Sequence, residues 1–292
     1  MAGRIVSARL QLGISTCPND TFAFHGLLTG KVRARGIELE IRLADVQELN
    51  ESLARGEYDA AKASFLAALQ LGHEVYLLRS GAALGFSAGP LLLAREARAD
   101  LKAARVLGPG AQTTAALLYA LYHGDDPEPE HVIFSEIMPA LEERRADVGL
   151  CIHEGRFTHA ERGLVCLEDL GQTWEADTGA PLPLGGIFGR KRLGSEVLLA
   201  LEDAILESID YAHAHPEEAL VTMRRHATEL SDEVLMGHVE LYVNDDTRRL
   251  GLRAQAACRT LEQRARAAGL VAPGSRSLEI FGLEGSAAGN GN

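Results

Sequence analysis

The sequence predicts an α/β fold in two lobes, and three observations support this. Strand and helix signals alternate along the chain, an order typical of a largely parallel sheet with helices on both faces. The chain has 292 residues, which exceeds the usual size of a single domain. Two similar glycine-led apolar strands, at 89–95 and 185–190, enclose the middle of the chain. We therefore expect a first lobe from 1–90 and 191–292 and an inserted second lobe from 91–190, although one long sheet would also fit.

The first lobe begins with a regular alternation of elements. The pattern predicts, in this order, strand 9–14, helix 21–29, strand 37–43, helix 45–55, strand 58–62, helix 64–72 and strand 75–78. The strict alternation of apolar and polar residues at 37–43 is typical of a half-buried strand. Asp45 is a suitable cap for the following helix, and Gly56 is a suitable end for it.

The middle of the chain repeats this alternation, and its end is helical. Between the glycine-led strands we predict strand 104–107, helix 113–122, strand 131–134, helix 138–145 and strand 148–152. After residue 191, helical apolar spacing predicts helices at 196–213, 216–226, 232–242 and 248–268. We expect these last helices to complete the first lobe.

Composition argues against several classes of partner. The formal net charge is −12 and the isoelectric point is about 5.3, which disfavours binding to nucleic acid or to an anionic membrane surface. No apolar run approaches the roughly 20 residues that span a bilayer. The N-terminal segment lacks the apolar core of a secretory signal, which predicts a cytoplasmic protein, although a mature form without its signal would look similar.

The cysteines and histidines form no disulfide or metal pattern. Cys17, Cys151, Cys166 and Cys258 show no CxxC spacing and fit reduced thiols. The histidines contain no HxxxH or HExxH pair, so no metal site is expected. No GxGxxG loop follows the first strand, which disfavours a dinucleotide cofactor, and neither a Walker loop nor a GxSxG elbow occurs.

The predicted strand at 148–152 ends abruptly in His153, and a polar loop containing glycine follows. In open α/β sheets the ligand crevice lies outside the carboxyl ends of the strands. Imidazole can exchange a proton near neutral pH, so a histidine at this place is a candidate general base. On this segment alone, a half-buried histidine bonded to the backbone fits equally well.

Three other junctions between a strand and a helix carry small polar side chains. The candidate ligand-binding residues are Ser15, Asn19, Lys62, Ala63, Ser64, Thr113 and Thr114. Ser or Thr at a helix start commonly only caps the helix, and this reading covers at least one of the junctions. The free N–H groups of a helix start also attract anions. If two lobes face each other, these junctions and His153 converge on one cleft, which would suit a small hydroxylated molecule that carries a carboxylate.

Five further residues are weaker candidates. The glycine-rich loop that begins at Arg79 can line the cleft, but a plain turn is the simpler interpretation. Cys17 precedes a helix, where a thiolate is favoured, yet a structural role is simpler. Glu154 can act as a second acid or point away, so the roles of these three residues stay open. Trp174 and Tyr242 read as packing residues.

Several motifs occur together along residues 10–272. They are STCPNDTF at 15–22, KAS at 62–64, RSGAALG at 79–85, QTT at 112–114, IHEGRFT at 152–158, PLPLGG at 181–186, HPEEA at 215–219 and ELSDE at 229–233. In combination they resemble the 1,4-dihydroxy-6-naphthoate synthase family of the futalosine route to menaquinone. CPNDTF together with IHExRFT is specific, whereas neither would suffice alone.

The resemblance implies a fold and an activity. The implied fold is the type II periplasmic-binding-protein-like fold, in which each lobe is a mixed, mostly parallel sheet flanked by helices and the cleft lies between the lobes. The implied activity is that of a carbon–carbon lyase that uses neither metal nor cofactor. It converts cyclic dehypoxanthinylfutalosine to 1,4-dihydroxy-6-naphthoate and dihydroxyacetone.

The resemblance also implies roles for residues. His153 matches the family's general base, and the segments 62–64 and 113–114 match its substrate-contacting segments. A retro-aldol-like cleavage needs a base and donors that hold the developing negative charge, which agrees with these residue types. At Ala63 and Cys151 relatives can carry larger apolar residues, which leaves the shape of the pocket open.

Three other functions compete with this one. A non-catalytic solute-binding protein for a small carboxylate would share the fold but would carry a secretion signal or lipoprotein cysteine. A chorismate dehydratase of the same pathway would share the fold too, and the IHEGRFT segment argues against it. The effector-binding half of a transcription regulator would need a basic DNA-binding segment, which this chain lacks. The oligomeric state is left open.

Overall fold

A computed structural model describes residues 8–98, 100–152, 155–227 and 230–283. Its strands are β1 (Ala8–Ser15), β2 (Ile37–Ala44), β3 (Ala60–Ser64), β4 (Val75–Leu77), β5 (Ala83–Gly85), β6 (Leu91–Ala94), β7 (Val106–Gly108), β8 (Glu130–His131), β9 (Val148–Cys151), β10 (Val165–Asp169), β11 (Leu182–Arg190) and β12 (Glu279–Ile280). Its helices are α1 (Pro18–Ala23), α2 (His25–Leu28), α3 (Val46–Arg55), α4 (Phe65–Gln70), α5 (Thr114–Tyr122), α6 (Phe134–Glu142), α7 (Gly155–Thr158), α8 (Leu170–Thr178), α9 (Ser195–Ala214), α10 (Pro216–His226), α11 (Asp232–Tyr242), α12 (Asp245–Arg248) and α13 (Leu252–Ala267).

The strands form two sheets. The seven-stranded sheet has the order β12-β4-β11-β3-β1-β2, with β5 also paired to β11. The five-stranded sheet has the order β10-β6-β9-β7-β8. In the first sheet, β11 runs antiparallel to β3, β4 and β5, while the remaining pairs are parallel. In the second sheet, β6 runs antiparallel to β9 and β10, while the remaining pairs are parallel.

Each sheet is therefore mixed and mostly parallel, with one reversed strand among those described, which confirms the predicted fold class. The reversed strands are the two glycine-led segments that the sequence singled out, but they lie in different sheets. β6 belongs to the five-stranded sheet and β11 to the seven-stranded sheet. The strands of the five-stranded sheet thus fall within residues 91–169, and the chain is back in the first sheet by Leu182. The exact division into lobes remains an interpretation.

Most predicted elements form within a few residues of their expected bounds. In α3, the Asp45 side chain accepts a hydrogen bond from the N–H of Gln47, and Gly56 ends the helix at φ +81°. That φ lies in the left-handed region, which costs glycine no side-chain clash. Both end signals of this helix were read correctly from the sequence.

Three predicted elements are wrong in their bounds or continuity. The predicted strand 131–134 is only the two-residue β8, and the predicted helix 138–145 begins four residues earlier, at Phe134. The apolar side chains of Phe134, Ile137 and Leu141 follow helical spacing, and Ile137 and Leu141 are fully buried. Burial of this helical face accounts for the earlier start. The last predicted helix likewise divides into α12 and α13.

Two glycines meet where the chain passes from the first sheet to the second. A Cβ on Gly89 would lie 2.3 Å from the Cα of Gly171, and a Cβ on Gly171 would lie 2.6 Å from the backbone N of Gly89. The first turn of α8 therefore packs directly on the segment that links β5 to β6. Trp174 of the same helix is fully buried and its Nε1 donates to the Pro181 carbonyl, as expected of a packing residue. No helix within the described ranges is long and apolar enough to cross a membrane.

Candidate active site

One cavity lies between elements of the two sheets and encloses about 720 Å³, counting the solvent at its mouth. All of the ligand-binding residues predicted from the sequence line it, namely Ser15, Asn19, Lys62, Ala63, Ser64, Thr113 and Thr114. They reach it from the carboxyl ends of β1 and β3 and from the start of α5. The three junctions thus converge, as expected if two lobes face each other.

A buried ion pair lies at the cavity wall. The Nζ of Lys62 lies 2.6 Å from Oδ1 of Asp20, and both side chains are less than a tenth exposed. Ser15 Oγ donates to Oδ2 of Asp20 at 2.6 Å, and Asn19 Nδ2 donates to its Oδ1 at 3.1 Å. The ammonium also donates to the Gly81 carbonyl at 3.3 Å. Asp20 and Gly81 are its two acceptors within the described residues, so one of the three ammonium protons remains available to a ligand.

Asp20 was missing from the predicted site residues, although it lies within the motif that supports the family resemblance. A signal for it was present, because a lysine in an apolar strand needs a carboxylate partner when it is buried. The sequence does not say which carboxylate that is, since Asp20 and Lys62 are 42 positions apart.

Ser64 ends β3 and precedes α4 without capping that helix through its side chain. Its Oγ instead accepts a hydrogen bond from Asn50 Nδ2 at 3.2 Å, and its N–H donates to Asn50 Oδ1 at 2.8 Å. Asn50 is fully buried on α3. The sequence analysis named Ser64 but gave no sign of Asn50.

The two threonines at the start of α5 use their hydroxyl protons within the protein. Thr113 Oγ1 donates to the Gly110 carbonyl and caps the helix by accepting from the N–H of Ala116. Thr114 Oγ1 donates to the Leu184 carbonyl at 2.6 Å. Their hydroxyl protons are therefore already donated within the protein. The backbone N–H groups of Thr114 and Ala115 have no acceptor in the described parts of the chain, and both residues line the cavity.

Tyr242 also lines the cavity, although the sequence suggested only a packing role. Burial raises the pKa of its phenol to about 12, while nearby Arg156 acts in the opposite direction.

Arg156 Nη2 donates to the Gly89 carbonyl at 2.7 Å and to Asp169 Oδ1 at 2.9 Å. Arg156 thereby ties α7 to the linking segment and to the end of β10.

Ile152, the residue after β9, lines the cavity. His153 and Glu154 follow it directly in the chain and lie outside the described residues. Cys17 also lines the cavity, and its N–H donates to Ser15 Oγ at 3.2 Å. Arg79 is not among the lining residues: its guanidinium pairs with the fully buried Glu202 at 2.6 Å, so it has a structural partner instead.

Metal ligands are not clustered in the parts of the chain that the structure describes. Among those residues there is no group of three or more His, Cys, Asp or Glu side chains placed to hold a metal ion. Among the described residues, the donors at the cavity with a proton to spare include the Lys62 ammonium, the Ser64 hydroxyl and the backbone N–H groups of Thr114 and Ala115, which suit an anionic organic molecule.

Two mixed sheets with a cavity between their elements define the class of two-lobed proteins with the periplasmic-binding-protein fold. The aliphatic sulphonate binding protein SsuA from Escherichia coli matches with a TM-score of 0.61 at 13% identity, covering 93% of this chain and 90% of that one. At that identity the likeness shows the fold alone. Protein AF1704 from Archaeoglobus fulgidus matches with a TM-score of 0.86 at 32% identity, covering 90% of this chain and 98% of that one.

Within this class, the chain belongs to the menaquinone biosynthesis family, whose model matches residues 10–267. A "1,4-dihydroxy-6-naphtoate synthase" from Thermus thermophilus is 44% identical over 93% of this chain and 99% of that protein. A protein of the same name from Streptomyces coelicolor is 42% identical over 90% of this chain and 94% of that protein. These findings confirm the family that the sequence motifs indicated.

Proposed function

We propose that this protein is a carbon–carbon lyase of menaquinone biosynthesis that converts cyclic dehypoxanthinylfutalosine to 1,4-dihydroxy-6-naphthoate and dihydroxyacetone in the cytoplasm. The observation that carries the proposal is its identity of 44% to the Thermus thermophilus synthase over nearly the whole of both chains. The convergence of the matching motifs on one cavity supports it further. Residues of all three strand–helix junctions line the same space.

The cavity has a polar side that suits the anionic part of this substrate. The third proton of the Lys62 ammonium, the Ser64 hydroxyl and the N–H groups at the start of α5 are the available donors. Because Asp20 compensates the charge of Lys62, attraction for an anion depends on these directed donors rather than on net positive charge. The cavity is also lined by apolar and aromatic groups that suit a fused ring, namely Val46, Ala88, Pro90, Ile152, Leu184 and Tyr242.

His153 is assigned the role of general base in this proposal. It follows Ile152, which lines the cavity, and it matches the catalytic histidine of the family. The base removes a hydroxyl proton from the substrate, a carbon–carbon bond breaks, and the three-carbon fragment departs as the remaining ring becomes aromatic. A positioned base typically contributes about 10²–10⁴-fold in rate. Preorganised N–H donors stabilise the negative charge that develops in this step.

Incubation of the purified full chain with cyclic dehypoxanthinylfutalosine tests the proposal. Chromatography with mass detection should show 1,4-dihydroxy-6-naphthoate and dihydroxyacetone forming in equal amounts. Binding of the compound by calorimetry without either product would favour a solute-binding role. Consumption of chorismate in a parallel assay would favour the dehydratase. Either result would contradict the proposed activity.

A further inference from the structure

Ser64 lies at a helix start but does not act as a conventional cap. In α3 and α5, the capping side chains of Asp45 and Thr113 accept a hydrogen bond from the first turn of their own helix. Ser64 accepts none from α4. Ser64 is 4% exposed and lines the cavity. Its buried hydroxyl therefore has a role other than capping α4.

The partner of Ser64 fixes the direction of its hydrogen bond. The backbone N–H of Ser64 can only donate, so the Asn50 atom 2.8 Å from it is the carbonyl oxygen Oδ1. The amide nitrogen Nδ2 must then be the Asn50 atom that lies 3.2 Å from Ser64 Oγ. An amide nitrogen can only donate, so Ser64 Oγ is the acceptor in this bond. The orientation of the amide is thus set by the backbone.

A hydroxyl that accepts from Asn50 retains its own proton for another acceptor. Within the described ranges no group accepts the Ser64 proton. Since Ser64 lines the cavity, a molecule bound there can accept this proton. Asn50 itself is fully buried and does not line the cavity.

We propose that Asn50 is a positioning residue that makes Ser64 a hydrogen-bond donor toward the substrate. The proposal rests on the function proposed above, because the acceptor is an oxygen of that substrate. Asn50 acts only through Ser64: it occupies a lone pair of Oγ and leaves the hydroxyl proton available for the bound anion. A hydrogen bond to a charged oxygen changes binding by about 10- to 100-fold.

Asn50→Asp reverses this polarity with almost no change in shape. The new carboxylate still accepts from the Ser64 N–H, but its second oxygen now accepts the Ser64 proton instead of donating to Oγ. We expect kcat/KM to fall about 10- to 100-fold at high pH. At low pH the carboxyl becomes protonated and donates to Oγ as the amide does, so the loss should shrink. Burial of the new charge also destabilises the fold at high pH, so the guanidinium unfolding of Asn50→Asp is followed over the same pH range to separate this effect from the loss of the Ser64 donor.

The experiment measures kcat/KM for the wild type, Asn50→Asp, Ser64→Ala and the double variant between about pH 6 and pH 9. Each protein is also unfolded with guanidinium to establish that it is folded in the assay. If Asn50 acts through the Ser64 hydroxyl, the double variant has the same kcat/KM as Ser64→Ala at every pH. The pH dependence that Asn50→Asp adds to the wild type is then absent from the double variant. Ser80→Ala is the matched control, because Ser80 is a buried serine outside the cavity whose Oγ donates to the Arg248 carbonyl.

Three results would overturn the inference. Losses of Asn50→Asp and Ser64→Ala that multiply in the double variant would mean that Asn50 acts independently of the hydroxyl. If Ser64→Ala keeps the wild-type kcat/KM, the hydroxyl donates nothing to the substrate. If Asn50→Asp keeps the wild-type kcat/KM from about pH 6 to pH 9, the direction of the hydrogen bond between Asn50 and the Ser64 hydroxyl does not matter. A wild type that forms no product is a different result, which refutes the proposed function and removes the substrate on which Ser64 would act.

Discussion

Asp20 and Lys62 form an ion pair of 2.6 Å at the cavity wall, joining the first turn of α1 to the middle of β3. Both side chains are less than a tenth exposed, and the carboxylate also accepts from Ser15 and Asn19. A buried ion pair of this kind stabilises the fold little more than an apolar pair of the same shape would. Removal of one partner, however, leaves the other charge buried and uncompensated. The pair therefore serves to place polar groups at the cavity while keeping the wall electrically neutral.

Asp20→Asn removes the negative charge while keeping the shape of the side chain. We expect the free energy of unfolding to fall by about 3–5 kcal/mol, because the Lys62 ammonium remains buried without its counter-ion. Guanidinium denaturation monitored by circular dichroism measures the change. The double variant Asp20→Asn with Lys62→Met should recover much of the stability while remaining impaired in substrate binding.

Glu40→Gln is the matched control, because the pair of Glu40 with Arg42 lies on the edge strand β2 and is open to solvent, as is the contact of Glu40 with Arg9. Solvent screens this pair, so its loss should leave the unfolding free energy close to that of the wild type. An Asp20→Asn protein as stable as the wild type would show that the buried pair is dispensable for the fold.

Gly89→Ala should disturb the segment that links the two sheets. Its Cβ would lie 2.3 Å from backbone atoms of Gly171, and backbone cannot move aside as a flexible side chain can. We expect a loss of about 1–3 kcal/mol or more in unfolding free energy, together with a change in lobe geometry. Thermal denaturation and small-angle X-ray scattering measure these two effects.

Gly251→Ala provides the comparison for this prediction. A Cβ there would have as its nearest neighbour a carboxylate oxygen of Asp246 at 3.1 Å, which accepts a hydrogen bond from the Gly251 N–H and lies at the end of a side chain rather than in the backbone. The effect should be small. Equal losses of unfolding free energy in Gly89→Ala and Gly251→Ala would show that the close contact between Gly89 and Gly171 adds nothing to the cost of the substitution.

Much of the local structure could be predicted because its causes are local. The ends of α3 follow from the capping oxygen of Asp45 and the left-handed φ of Gly56, both adjacent to the helix they delimit. β2 follows from a strict alternation of side chains within eight residues. The convergence of Ser15 and Ser64 could be predicted as well, because carboxyl ends of parallel strands share one edge of a sheet. Thr113 follows β7 of the other sheet, and its place in the cavity was predicted only from the expectation that two lobes face each other.

The long-range partners could not be predicted in this way. No local pattern links Asn50 to Ser64, because the two meet only when α3 packs on β3. Tyr242 reaches the cavity from a helix near the end of the chain, and its sequence surroundings are those of any packing residue. The sheet to which β11 belongs is likewise decided by its hydrogen-bonding partners, β3, β4 and β5, rather than by its own residues.

A buried histidine outside the cavity predicts sensitivity to acid. His25 is 2% exposed, its Nδ1 lies 2.8 Å from Thr222 Oγ1, and its ring stacks on Tyr211. Burial lowers the pKa of His25 below its usual 6.5, an effect that Glu218 opposes, while Lys31, His215 and Arg225 add to the lowering. The unfolded chain therefore takes up this proton at a higher pH than the folded chain does.

The contribution of His25 to stability is therefore complete above about pH 6.5 and decreases as the pH falls toward its folded pKa. The slope from one proton is at most about 1.4 kcal/mol per pH unit. Denaturation at pH 7.5 and pH 5.5 should show a smaller acid loss in His25→Gln than in the wild type. His226→Gln, at an exposed position on α10, should retain the wild-type loss. An unchanged loss in His25→Gln would exclude His25 as its source.

His153→Ala tests the assigned general base. The variant should lose turnover by at least about 10²-fold, since a positioned base contributes that factor or more. The donors that would hold the anion, among them Lys62 and Ser64, remain in place, so the dissociation constant for cyclic dehypoxanthinylfutalosine should change little. Single-turnover kinetics and calorimetry separate these effects. His226→Ala should retain full activity as the control, and a His153→Ala protein with near-wild-type kcat would remove His153 from the mechanism.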